Sequence, residues 1–345
     1  MAAWDQVEST AGLIATRAKG ISASQHNLNS MLGTTVSNSL LQMDVHVKNT
    51  VINGKAVCLD CAKIDGQTYS VTRRFVRVIS LEDDWYEDVI DPASVIATLN
   101  KSKIRADVFT FWQRLPEIEP RYQYHTEWES LAVLSIKSFD YWWSKQIKDK
   151  TRNMVRKAEK SGIEVREASY DDAFVRGMTD IFNETPVRQG RKFWHYGKDF
   201  DTVKREFSRF LFREQLIGAY YRDELVGFVM LANAGKYGVL GQIISKVEHR
   251  NKAINNALIA HTIKKCETQQ LPYLVYAYWN ENSLSDFKRH CGFEQIKLPR
   301  YFVPLSVKGK LALMCGIHRD LKGALPRRVR DHLKKLRNRW YAVRS

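Results

Sequence analysis

Residues 273–298 read YLVYAYWNENSLSDFKRHCGFEQIKL. The apolar and aromatic run Tyr273–Tyr278, introduced by Pro272, has the length and composition of a short buried strand. Ser283 to Cys291 reads as a helix, and Gly292 stops it, because a helix commonly leaves through a left-handed residue that glycine adopts without strain. Phe293–Leu298 returns to a strand. A strand, a helix and a strand in such close succession point to a layered α/β domain.

Working back from this stretch, Ala253 to Thr268 predicts a helix that carries Ile254, Leu258, Ile259 and Ile263 at helical spacing. Before it, Leu216–Tyr221 and Leu225–Ala232 form a hairpin about Arg222–Glu224, and Tyr237–Ile244 follows a turn at Ala234-Gly235. Asp171–Asn183 and Asp201–Phe212 read as helices, separated by a loop with Arg188, Gly190 and Arg191 and the aromatic run Phe193, Trp194, Tyr196. With strand Ile163–Glu167 ahead and strand Tyr301–Leu305 behind, the order over 163–305 is βαα-βββ-αβ-αββ. Upstream, Ser138 caps a long helix that Gly162 ends, and Lys148, Arg152, Arg156 and Lys160 make one side of it cationic. Residues 43–137 predict an α+β region: strands Val45–Ile52, Ala56–Ile64, Thr68–Thr72, Arg74–Leu81, Asp107–Trp112 and Ser130–Ile136, with a helix over Pro92–Lys101. The dipeptide Asp65-Gly66 supplies the tight turn between two of them.

A chain of 345 residues with 44% hydrophobic and 27% charged content suits two globular domains, and excludes wholesale disorder and fibrous classes. Lys and Arg number 54 against 38 Asp and Glu, a surplus of +16 that draws phosphates, nucleic acid or an anionic membrane. Residues 306–345 concentrate it, with twelve basic residues against two Asp. There Arg327, Arg328, Arg330, Lys334, Lys335, Arg337 and Arg339 interleave with Leu333, Leu336 and Trp340, which reads as a basic amphipathic helix able to lie on a membrane or follow a tRNA backbone. Residues 1–42, rich in Ser, Thr, Ala and Asn, are expected to form a loosely docked arm with a weak helix around Leu28–Leu41.

Five cysteines and no apolar leader fit a soluble protein of the reducing cytoplasm. No apolar run approaches the roughly 18 residues of a bilayer span, so membrane contact is expected to be peripheral, at the inner face. Cys58 and Cys61 sit three apart on a strand, point to opposite faces and cannot grip one ion, so no metal is expected. The acidic group Glu82, Asp83, Asp84, Glu87, Asp88 and Asp91 lacks a ligand spacing and reads as a solvated loop or an ion-pair partner of the basic surface.

The element order over 163–305, with Asn280-Glu281-Asn282-Ser283-Leu284, Phe287-Lys288-Arg289-His290 and Gly292-Phe293, resembles the GNAT acyltransferase superfamily. The basic helix that enters this unit from an α+β region is more similar to the FemAB-like, peptidoglycan-bridge-type branch, over roughly residues 43–305. The resemblance implies an α/β (α+β) architecture of two GNAT-like halves. The first, 43–137, is degenerate; the second, 163–305, is a full GNAT fold with a mixed central sheet; helix 138–162 links them and the basic helical tail 306–345 follows. It implies N-acyl transfer by direct attack of an amine on a polar, small-molecule or sugar-linked acceptor. The donor is acyl-CoA as co-substrate or, as in cell-wall bridge ligases, aminoacyl-tRNA. A reading from another class is a catalytically silent scaffold that binds RNA or anionic membrane.

One departure concerns the segment after the fourth GNAT strand. Similar enzymes keep it glycine-rich so that backbone N–H groups approach a pyrophosphate, whereas here Val247-Glu248-His249-Arg250-Asn251-Lys252-Ala253 has no glycine. Arg250 and Lys252 add positive charge at this point. By resemblance, the strand Tyr237–Ile244 presents its amides to the acyl carbonyl, with Gln242 and Ile243 near the chemistry, and Asn280 and Asn282 bind the donor or cap the next helix. Tyr301 is the candidate proton donor to the leaving group, and His195 or Glu184 the candidate base beside the acceptor. The aromatic neighbours of His195 suit packing equally well. Arg188, Arg191, Trp194, Arg152 and Arg156 are candidates for contact with an anionic substrate.

Overall fold

The computed structural model describes residues 44–318, apart from 53–54, 73–74, 189, 209–210 and 280–282. The N-terminal arm, the basic helix expected after Pro326, and Asn280 and Asn282 lie outside the described residues.

Among the described residues, twelve strands make one mixed sheet. One wing holds β1 (Asp44–Ile52), β2 (Lys55–Ile64), β3 (Gln67–Thr72), β4 (Val78–Leu81) and β5 (Val108–Trp112). The other holds β7 (Glu164–Ala168), β10 (Glu214–Tyr221), β11 (Glu224–Asn233), β12 (Gly238–Ser245) and β13 (Tyr273–Tyr278). Between them lie β6 (His125–Ser135) and β14 (Glu294–Pro304), and β8 (Val187–Arg188) pairs with β9 (Arg191–Lys192) as a separate small hairpin. The order is β1-β2-β3-β4-β5-β14-β6-β13-β12-β11-β10-β7.

The wings repeat one pattern. In each, three antiparallel strands, β2-β3-β4 or β10-β11-β12, are followed by a parallel neighbour, β5 or β13. Each is then completed by a strand from the opposite part of the chain: β14 runs antiparallel to β5, β6 antiparallel to β13, and the two pair with each other. This exchange makes a continuous sheet out of two GNAT-like patterns.

Local chemistry accounts for most of the boundaries. Asp65 and Gly66 both take positive φ, 48° and 80°, as a two-residue hairpin turn requires. Alternation along β11 sends Val229 and Leu231 to one face of the sheet and Phe228 and Met230 to the other. On the first face lie α2 (Asp149–Lys160) and α5 (Ile254–Thr268); on the second lie α3 (Asp172–Asn183) and α4 (Phe200–Phe207). In the N-terminal wing, Asp91 caps α1 (Pro92–Lys101), which buries Val95 and Leu99 against Tyr69, Phe109 and Tyr301.

Four expectations differ from the structure. The helix that Ser138 caps is not continuous: a turn at Phe139–Tyr141 runs into a π-helix at Trp142–Gln146, Ile147 and Lys148 are extended, and α2 then starts afresh. Buried Trp142 bonds the Cys291 carbonyl and Ile147 is buried too, so packing fixes the break, and Arg152 donates to the freed carbonyls of Trp143 and Ile147 at 2.6 and 2.8 Å. Phe293–Leu298 and Tyr301–Leu305, expected as two strands, are the single strand β14. Pro299 is tolerated in it because the Pro299 carbonyl, and with it the prolyl nitrogen, points past the end of β5 toward the amide of Gln113, so no ladder bond to β6 is lost. The segment from Arg74 is strand only from Val78, and the helix expected to reach Phe212 ends at Phe207.

Candidate active site

The parallel pair β12 and β13 is in register at only two positions, Gly238 with Leu274 and Val239 with Val275. Beyond them both strands bend away. Along β12 the ladder to β11 skips a residue, so that Leu240 faces Leu231, Gln242 faces Met230, and Gly241 is bulged between them and exposed. Along β13 the ladder to β6 slips between Val275 and Tyr278, with Ala277 at φ 48°. The result is a fork whose inner edge is main chain.

Lys288 holds one prong. It comes from α6 (Ser283–His290), is 1% exposed, and its ammonium donates to the carbonyls of Tyr276 and Tyr278 at 2.7 and 2.8 Å, with the Tyr276 ring 4.4 Å away. Burial pushes this amine down to about 7. At the other prong, a methyl group at Gly241 would lie 3.3 Å from a carboxylate oxygen of Glu214 and 4.0 Å from the Tyr86 hydroxyl. The loop that carries Tyr86 leans over the fork through Trp85, which packs edge-on to Trp112 and Tyr278. Its acidic residues are ion-pair partners, Asp88 with Arg114 at 2.8 Å, Asp84 with Arg300 at 3.1 Å and Glu87 with Arg213.

Gln242 and Ile243 stand on the free length of β12, both half-buried. Glu184 lies elsewhere. Its carboxylate accepts from the backbone N–H groups of Val247 and Glu248 at 2.6 and 2.8 Å and from Arg188 at 3.0 Å, so both oxygens are engaged in the segment after β12. Arg188 also donates to the carbonyls of Ser245 and Ile181, which makes it an internal brace. His195 is buried among aromatic rings, stacked on Phe182 at 4.4 Å, and its Nδ1 lies 3.0 Å from the Lys198 ammonium. Burial first, then Lys198 and Arg188, hold its pKa well below the usual imidazole range, and the ring packs against Phe182, Phe193 and Phe207.

Tyr301 is fully buried in the core of the N-terminal wing, on the stretch of β14 that pairs with β5. Its hydroxyl donates to Gln113 at 2.7 Å and accepts from the amide of Arg121 at 2.8 Å, so it serves that core and not the fork. Arg152 is tied to Asp149 and to the helix break. Arg156 is exposed over the Trp143 ring, Trp194 is exposed beside Lys198, and Arg191 stands opposite Arg188 in the β8–β9 hairpin. Arg250 is exposed, whereas Lys252 lies over the Tyr221 ring at 4.2 Å. Sequence reasoning missed Gly241, Glu214 and Lys288. A lone glycine within a strand is the available signal for the first, since it marks a bulge or a close approach.

Residues 175–293, which span α3 to the start of β14, match the acetyltransferase (GNAT) family. The chain carries a GNAT domain. Its fold is that of FemX, with a TM-score of 0.52 at 11% identity over 78% of this chain and 90% of FemX, so the FemAB-like resemblance holds at the level of fold. Two further similar structures are the C-terminal domain of a putative lysylphosphatidylglycerol synthetase from Agrobacterium fabrum and L-PGS from Bacillus licheniformis. The first has a TM-score of 0.49 at 10% identity over 72% of this chain and 84% of that one. The second has a TM-score of 0.49 at 13% identity over 72% and 85%. No curated protein matches the chain. Among the described residues, no helix is long and apolar enough to cross a membrane.

Proposed function

We propose that this protein is an N-acyltransferase that moves an acyl or aminoacyl group from a thioester or an aminoacyl ester to an amine on a polar, sugar-linked acceptor. The observation that carries this reading is the fork: β12 leaves β13 after two paired residues, with the exposed bulge at Gly241 where the strands part. A carbonyl oxygen laid on the free main chain of β12 meets amides whose positions are fixed before reaction, the arrangement that stabilises a tetrahedral oxyanion.

An ammonium acceptor gives one proton to the carboxylate of Glu214 beside the bulge. The neutral nitrogen then attacks the carbonyl carbon, the C–N bond forms, the C–S or C–O ester bond breaks, and the second amine proton goes to the departing sulfur or ribose oxygen. No side-chain nucleophile is required. The exposed basic side of α2, with Lys150, Arg156, Lys157 and Lys160, supports a polyanionic donor such as aminoacyl-tRNA.

The purified protein is to be mixed with a panel of acyl-CoA thioesters and charged tRNAs together with amino sugars and amine-bearing peptidyl sugars, and products read by mass spectrometry. Amide formation with one donor class is the expected result. The proposal fails if no product appears with either class and neither raises the melting temperature at about 1 mM, where even weak ligands stabilise a folded protein.

A further inference from the structure

The backbone N–H groups of Val247 and Glu248 point side by side out of the segment that follows β12, and the Arg188 guanidinium stands next to them. Successive amides beside a guanidinium form a nest for an anion. In this chain the nest is filled from within. The carboxylate of Glu184, the residue after α3, takes both amides and Arg188 at 2.6, 2.8 and 3.0 Å.

We propose that Glu184 is a specificity-determining residue that closes this nest to donor phosphates. A tethered carboxylate competes at an effective concentration of at least the millimolar order, so a free diphosphate displaces it only by binding these groups correspondingly more tightly. Its charge, with exposed Glu248 alongside, also repels a second anion. The bonds hold the end of α3, the β8–β9 hairpin and the segment after β12 in one unit, so the carboxylate cannot leave without loosening all three. The donor is therefore of a class whose activated carbonyl enters the fork without a diphosphate on these amides, an aminoacyl ester before a coenzyme A thioester. This last consequence rests on the transferase reading; the closure itself does not.

Binding of inorganic pyrophosphate and of unacylated coenzyme A is to be measured by calorimetry for the full chain and for E184A. Truncation frees both amides and Arg188, and both ligands are expected to bind E184A at least about tenfold tighter than the parent. E184Q guards against a folding defect: it keeps the shape, but its amide nitrogen faces a backbone N–H and cannot accept, so a smaller gain in the same direction is expected. Coenzyme A binding to the parent as tightly as to E184A overturns the proposal, as does the absence of any gain in a variant with a parent-like melting curve. Because no acceptor and no turnover enter the measurement, failed transfer leaves the closure standing, and a failed closure leaves transfer from coenzyme A donors open.

Discussion

The two wings of the sheet share one strand plan, and the difference that matters for the site lies at the parallel pair. In the N-terminal wing, β4 and β5 pair at three positions, Val78, Ile79 and Ser80 against Val108, Phe109 and Thr110, and β4 ends at the next residue. In the C-terminal wing, β12 and β13 pair at two positions and β12 continues for six more residues, Leu240 to Ser245. A strand that outlasts its partner exposes main chain; one that stops with it does not. The first wing accordingly spends its polar side chains on its own core, as Tyr301 does with Gln113, whereas the second holds a lysine, a carboxylate and a glycine around an open edge.

Three variants break or sharpen this contrast. The largest effect is expected from Gly241→Val, which puts branched carbon atoms into the bulge: transfer, followed by product mass, drops about 100-fold or more because the oxyanion position is lost, with the melting temperature little changed. Parent-like activity would remove the fork from the mechanism.

Next is Lys288→Met. The unfolded lysine titrates near 10.5 and the folded one at about 7, so between those values the folded chain carries fewer protons and stability rises with pH; below about 7 this contribution no longer changes. From pH 7 to 9 the parent is expected to gain about 2 kcal/mol relative to the variant in denaturant titrations. Parallel pH profiles would mean that the amine is not desolvated.

Smallest is Tyr301→Phe in the other wing. Loss of a buried hydroxyl with partners on both sides costs about 1–2 kcal/mol of stability with transfer unaltered. A selective loss of activity would return Tyr301 to the site.

The fold was readable in the sequence wherever the signal is local. Asp65-Gly66 announces its turn, Gly292 ends its helix at φ 89°, and alternation along β11 sorts its residues to two faces. Alternation says which face a side chain takes but not which strand lies beside it, and for that reason the trade of β6 for β14 could not be read. Tyr301 shows the consequence: its place after Gly292-Phe293 suggests the site, while the trade carries it into the opposite core. The break at Ile147 has a similar origin, since burial of Trp142 and Ile147 overrides an uninterrupted helical pattern. Glu184 was legible as a functional type and not as a contact, because its partners are amides more than sixty residues away, and amides carry no sequence signature.

The trade of central strands also has a consequence in time. A nascent chain leaving the ribosome can pair β1 through β5 early, yet the edge of β5 waits for β14, which begins at Glu294, near the end of the described chain. Until then that edge offers unpaired main chain to any passing strand, and it is β14 that covers it.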